Sequence, residues 1–148
     1  MSSINDTTTR DEIAEGLRYT HSRANSNTAK LLEVSSFAYA AVELLAEKGL
    51  IDIEVLDLRS LLPFDREAVL ESVKKTSKVI LLHEDTQIGG FAGELAAIIA
   101  EEAFEYLDGP IRRITAPNTP VPYSPPLEEF FLPKVSDVVR VARELYAY

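Results

Sequence analysis

His83 and Glu84 stand directly after a short apolar run, Val79 to Leu82, where a strand is predicted to end. Open α/β sheets often bind ligands at the carboxyl ends of their strands, and a histidine beside a carboxylate could move a proton there. No Ser or Cys nucleophile motif accompanies the pair, and the only other histidine is His21, in a polar tail. Two histidines so separated do not make a metal site. A structural or interface role for His83 is therefore the favoured reading. Gly89, Gly90 and Gly93 follow in the spacing G-G-x-x-G. That is neither the dinucleotide nor the P-loop spacing, so a phosphate cradle is a weak inference. A tight turn at Gly89–Gly90 and a close helix–sheet approach at Gly93 account for the glycines. Arg112 and Arg113 sit on a predicted strand, where alternation turns one of them inward or against a neighbour.

A second set of residues could serve recognition rather than catalysis. Glu101, Glu105 and Asp108 are spaced four and three apart, which places them on one stripe of a single long helix. A solvated face is the bland reading, and a docking surface for a basic domain is the functional one. Phe130, Phe131, Tyr123 and the terminal Tyr146 and Tyr148 are aromatic residues suited to an interface.

These residues need elements to position them, and the chain supplies an alternating order. Residues 1–28 are polar and read as a flexible lead-in or linker. From residue 29 to 148 the pattern is regular. Strands are expected at Lys30–Val34, Ile53–Leu58, Val79–Leu82 and Ile111–Thr115. Helices are expected between them: one carrying Phe37, Ala40, Ala41, Leu44 and Leu45, stopped at Lys48-Gly49, and one capped by Asp65 and carrying Val69, Leu70 and Val73. A long helix from about Gly90 to Leu107 turns Leu95, Ile98, Ile99, Ala103 and Leu107 inward. A last helix, capped by Ser136, carries Val138, Val139, Ala142 and Leu145. Pro117 to Pro126 holds five of the eight prolines and reads as a stiff loop. The order argues an α/β domain of three layers, α/β/α, with a mostly parallel sheet of four to five strands.

Composition narrows the partners. The 148 residues carry a net charge of −9, which disfavours nucleic acid and anionic membrane. No apolar run reaches the length of a membrane span, and the polar start lacks a signal-peptide core, so a cytoplasmic setting is expected. With no cysteine there is no disulfide, thiolate metal site or Cys nucleophile.

Four landmarks then occur in one order: I-E-V-L-D-L-R-S-L-L-P-F-D from Ile53, H-E-D-T-Q-I-G-G-F-A-G-E-L from His83, A-P-N-T-P-V-P-Y from Ala116 and L-E-E-F-F-L-P from Leu127. Over roughly Leu50 to Tyr148 the chain resembles the C-terminal, transketolase-like domain of the beta subunit of thiamin-diphosphate-dependent 2-oxo acid dehydrogenases. The H-E-D-T-x-x-G-G form is most similar to the branched-chain (2-oxoisovalerate) type, including forms with alpha and beta parts fused; pyruvate-specific relatives are the alternative. Two departures stand out. Val34-Ser35-Ser36-Phe37-Ala38 replaces the family's Ser-aromatic-Gly turn, and no G-D-G motif with a downstream Asn is present.

The resemblance implies a structural and assembly domain that binds no cofactor and no metal and is not catalytic alone. Thiamin diphosphate and magnesium belong to the parent enzyme, which decarboxylates a 2-oxo acid oxidatively and passes the acyl group to a lipoyl arm. Implied partners are a second copy in a homodimer, the alpha subunit or other domains of the parent, and the dihydrolipoyl acyltransferase core. Glu101, Glu105, Asp108 and the Tyr148 carboxylate are the implied partner-binding residues, with His83, Phe130 and Phe131 at an interface. A binding or regulatory module that kept the fold and lost the enzyme is the rival reading; a stand-alone α/β enzyme using His83 and Glu84 is the third.

Overall fold

The computed structural model describes residues 38–42, 45 and 51–148. The expectations for residues 1–28, for the strand at Lys30–Val34, and for Phe37, Leu44 and the Lys48-Gly49 stop lie outside them.

Residues 38–42 and 45 are helical, and Ala41 and Leu45 are fully buried. Helix α1 runs Arg66–Thr76. Asp65 caps it, its carboxylate accepting the Ala68 N–H at 3.0 Å. Lys74 and Lys75 lie in its last turn, where cations suit the helix dipole. Strand β1 is Ile80–Thr86 and strand β2 is Arg112–Ala116; they pair in parallel. Helix α2, Phe91–Glu102, joins them with a 3₁₀ turn at Phe104–Tyr106. Helix α3 is Pro125–Phe131 and helix α4 is Val135–Tyr146.

The alternation of β1 decides how the layers pack. Ile80 and Leu82 face one way and join Ala41, Ile114, Val138 and Val141. Val79 and Leu81 face the other way and join Val69, Val73, Ile99 and Ala103. Period two in the strand thus sends successive side chains into two different helical layers. Helices cover both faces of the pair, which is the expected α/β/α arrangement.

Several local expectations are corrected. Residues 51–57 alternate in exposure as a strand would, but residues 51–58 form no ladder with β1 or β2, so the described sheet has two strands. The expected helix from Gly90 to Leu107 is two elements, because the chain tightens into a 3₁₀ turn after Ala103. The proline segment is not wholly a loop: Pro125 opens α3, a position where its missing N–H costs nothing. The cap of α4 is Lys134, not Ser136; Asp137 folds back and accepts the Lys134 N–H at 3.1 Å. Of the two readings for the arginines of β2, the second holds: both are exposed, and Arg113 lies against a neighbour, the Gln87 carbonyl.

Candidate functional site

The carboxyl end of the β1–β2 pair is built around an irregularity. Leu82 pairs with Ile114 and Thr86 with Ala116. Strand β1 therefore takes four steps where β2 takes two, and the two surplus residues lie within His83–Asp85. Bulges of this kind re-aim side chains and end pairing. Local bonds hold it. His83 Nδ1 accepts the Asp85 N–H at 3.1 Å, and the Asp85 carboxylate accepts the Thr86 N–H at 2.7 Å. Thr86 Oγ1 donates to the Ile88 carbonyl at 2.9 Å.

Two longer-range bonds tie the same turn to the rest of the domain. The Ile88 N–H donates to Asn118 Oδ1 at 2.9 Å, and Arg113 Nη1 donates to the Gln87 carbonyl at 3.0 Å. Gly89 has φ of 82°, the left-handed conformation a turn requires. Gly90 is buried and caps α2. A Cβ there would overlap the Thr86 carbonyl oxygen and come within 2.6 Å of His83 Cε1. The close approach expected at Gly93 is absent: a Cβ at Gly93 would meet only Arg113 Nη1, at 3.8 Å. The sequence placed the packed glycine one turn too late.

This geometry settles what the glycine turn can hold. The space beside Gly90 is filled by the Thr86 carbonyl and the His83 ring, so the α2 N-terminus is not shaped for a phosphate. Among the described residues no three His, Cys, Asp or Glu side chains meet as a metal site would need. The described residues thus do not fit thiamin diphosphate with magnesium. As for acid–base chemistry, the Nδ1 of His83 is occupied by a backbone donor, and the neighbouring hydroxyl of Thr86 is spent on Ile88. Burial pulls the imidazole below its ordinary value; the Asp85 carboxylate opposes the shift and the Arg113 guanidinium adds to it.

A shallow cleft of about 440 Å³ opens beside the turn, lined by Gln87, Arg113, Thr115, Phe130, Asp137 and Arg140 among others. Arg140 is already paired, with Glu144 at 3.1 Å and Asp137 at 3.6 Å. The adjacent aromatic pair divides. Phe131 is 7% exposed and belongs to the core, whereas Phe130 is 74% exposed. Of the two, only Phe130 is exposed. With it Val121, Tyr123 and Leu127 are exposed, so one ten-residue stretch displays four large apolar side chains.

The acidic end lies elsewhere. Glu101 is in the last turn of α2, Glu105 is in the 3₁₀ turn, and Asp108 follows it, so the three do not share one helical stripe. Tyr148 approaches the residue after Asp108: a Cβ on Gly109 would stand 3.4 Å from the Tyr148 ring. Lys78, which the sequence reading overlooked, intrudes. Its ammonium donates to the Asp108 carbonyl at 2.5 Å and lies 3.5 Å from the Asp108 carboxylate. Lys74 sits over the Tyr106 ring, 5.4 Å from its centroid. Thirty residues separate Lys78 from Asp108, and no local pattern reveals such a contact.

Comparison with known proteins completes the site. Residues 33–138 match the family model described as "Transketolase, C-terminal domain". The chain is 45% identical over 108 residues to the beta subunit of acetoin:2,6-dichlorophenolindophenol oxidoreductase of Bacillus subtilis (strain 168), covering 73% of this chain and 31% of that protein. It is 43% identical over 110 residues to the 2-oxoisovalerate dehydrogenase subunit beta of the same organism, covering 74% and 33%. It is 42% identical over 107 residues to the mitochondrial pyruvate dehydrogenase E1 component subunit beta-1 of Arabidopsis thaliana, covering 72% and 29%. The chain thus spans about a third of the length of these relatives. A solved structure, "Split gene transketolase, inactive beta4 tetramer", superposes with a TM-score of 0.62 at 27% identity, covering 76% of this chain and 35% of that one. On the match over residues 33–138, with its parallel strand pair between helical layers, the chain belongs to the transketolase C-terminal domain family.

Proposed function

We propose that this chain is the C-terminal structural and assembly domain of a 2-oxo acid dehydrogenase (decarboxylating) beta subunit. The observation that carries this reading is identity of 42% to 45% to three such or closely related beta subunits, in each case over about a third of the relative's length. The parent reaction is the oxidative decarboxylation of branched-chain 2-oxo acids, or of pyruvate, with acyl transfer to a lipoyl acyltransferase. Thiamin diphosphate serves the parent enzyme through residues other than those described. In this reading the chain acts by contact. The stretch with Val121, Tyr123, Leu127 and Phe130 meets a second copy in a homodimer or the alpha subunit, and the setting is cytoplasmic. Glu105, Asp108 and Tyr148 receive a basic domain of the acyltransferase core, with Glu101 at the margin.

Surface plasmon resonance against that acyltransferase domain tests the reading. Binding should weaken as salt rises, because exposed charges are screened beyond roughly 10 Å at 0.1 M ionic strength. Asp108→Lys should weaken it further, while Glu67→Lys, on the exposed face of α1, should not. Indifference to both salt and Asp108→Lys overturns the docking site. Saturable binding of thiamin diphosphate with magnesium to the purified chain, measured by calorimetry, overturns the assignment of a purely structural role.

A further inference from the structure

The turn from His83 to Gly90 is closed by a bond that only a neutral imidazole can accept. His83 Nδ1 receives the Asp85 N–H at 3.1 Å. An imidazolium is protonated at both nitrogens and has no acceptor left. The ring cannot simply swing aside, because its Cε1 packs against buried Gly90 at the start of α2.

What lies beyond that bond gives it reach. The Asp85 carboxylate holds the Thr86 N–H, and the Thr86 hydroxyl holds the Ile88 carbonyl. The Ile88 N–H holds Asn118 in the segment after β2, and Arg113 on β2 holds the Gln87 carbonyl. A run of single bonds therefore leads from one titratable ring to the segment that continues into the exposed apolar stretch. We propose that His83 is a proton-operated latch: protonation frees the Asp85 N–H, opens the bulge, and loosens the 85–90 turn from Asn118 and Arg113.

The surroundings make the latch respond below neutrality. From β1 the ring is faced by Asp85, with exposed Glu84 beside it; from β2 it is faced by Arg113. From α2 it meets the main chain of Gly90, and the first-turn acid of that helix, Glu94, is exposed. Burial and Arg113 resist the proton, and Asp85 favours it. Asp85 also supplies an alternative partner: once the imidazolium forms, its carboxylate is the near anion, and turning to the ring means leaving the Thr86 N–H. The latch is a property of this chain and does not depend on the proposed assembly role.

Nuclear magnetic resonance of the full 148-residue chain tests it. The His83 ring and the amides of Asp85, Ile88 and Gly90 are followed from about pH 8 to about pH 5, the range in which histidine changes charge. The His83 midpoint should fall below the ordinary value of about 6.5, and the Asp85 and Ile88 amides should move with that same midpoint. Exchange protection of the Asp85 amide, corrected for the intrinsic rate, should fall about tenfold across it, as loss of one hydrogen bond implies. His83→Gln offers an acceptor that does not titrate, and the coupled step should vanish. Amides that do not track His83, a midpoint at or above the ordinary value, or an unchanged step in His83→Gln would each overturn the latch. If the variant fails to fold, the wild-type tracking decides alone.

Discussion

The stretch from Val79 to Ala116 and the segment from Pro117 to Phe131 obey opposite rules. In the first, the apolar side chains of the strands are divided between two helical layers, with Ile88, Phe104 and Tyr106 left exposed, and the turn at the strand ends bonds within itself and to Asn118. In the second, Phe131 alone is buried, while Val121, Tyr123, Leu127 and Phe130 face outward. The first is a folding unit. The second is a largely exposed surface whose conformation its five prolines restrict.

Phe131 is the sharpest test of the contrast. Phe131→Ala removes the buried anchor and should cost about 3 kcal/mol in urea unfolding, in the range for buried aromatic truncation. Phe130→Ala, one residue away, should leave stability within about 0.5 kcal/mol, as exposed positions do. Its effect should appear in sedimentation equilibrium instead, as weaker self-association. Equal losses of stability from the two substitutions would erase the distinction between the regions.

Within the folding unit, Gly90 and Gly93 should behave oppositely. Gly90→Val drives a side chain into the Thr86 carbonyl and the His83 ring and should cost on the order of 1–3 kcal/mol. Gly93→Ala meets only the end of a flexible arginine, so helix propensity should dominate and stabilise by up to about 1 kcal/mol. Paired denaturant melts read both signs.

The same two glycines show what the sequence can and cannot disclose. Core helix faces were legible because period 3.6 is written in the residues: Leu95, Ile98, Ile99 and Ala103 are buried as the spacing requires. The Asp65 cap was legible for the same local reason. The bulge at His83–Asp85 was not, since it exists only as a mismatch between two strands far apart in sequence. That mismatch brings the Thr86 carbonyl and the His83 ring against Gly90 rather than Gly93. The acidic stripe failed likewise. Spacing alone could not show that the chain leaves the α-helix after Glu102, or that Lys78 reaches across to Asp108. Family resemblance supplied the fold, but no resemblance supplies a register.

The smallest expected effect is the dependence of stability on pH at His83. Burial lowers the imidazole in the folded chain, so below about pH 6.5 the unfolded chain binds more protons than the folded one. Stability from this group is therefore complete above that pH. It is lost as pH falls from about 6.5 toward the lowered folded value. The ring is only partly buried and solvent screens it, so the loss should be small. Other acids contribute their own slope, but that slope is common to the wild type and His83→Gln. The difference between their urea-derived stabilities at about pH 7.5 and about pH 5 isolates the histidine, and the wild type should lose more. The same difference measured in Phe130→Ala should be unchanged, because that side chain stands outside the folding unit. A wild type that instead gained stability relative to His83→Gln on acidification would mean that Asp85, not burial, sets the charge of the ring.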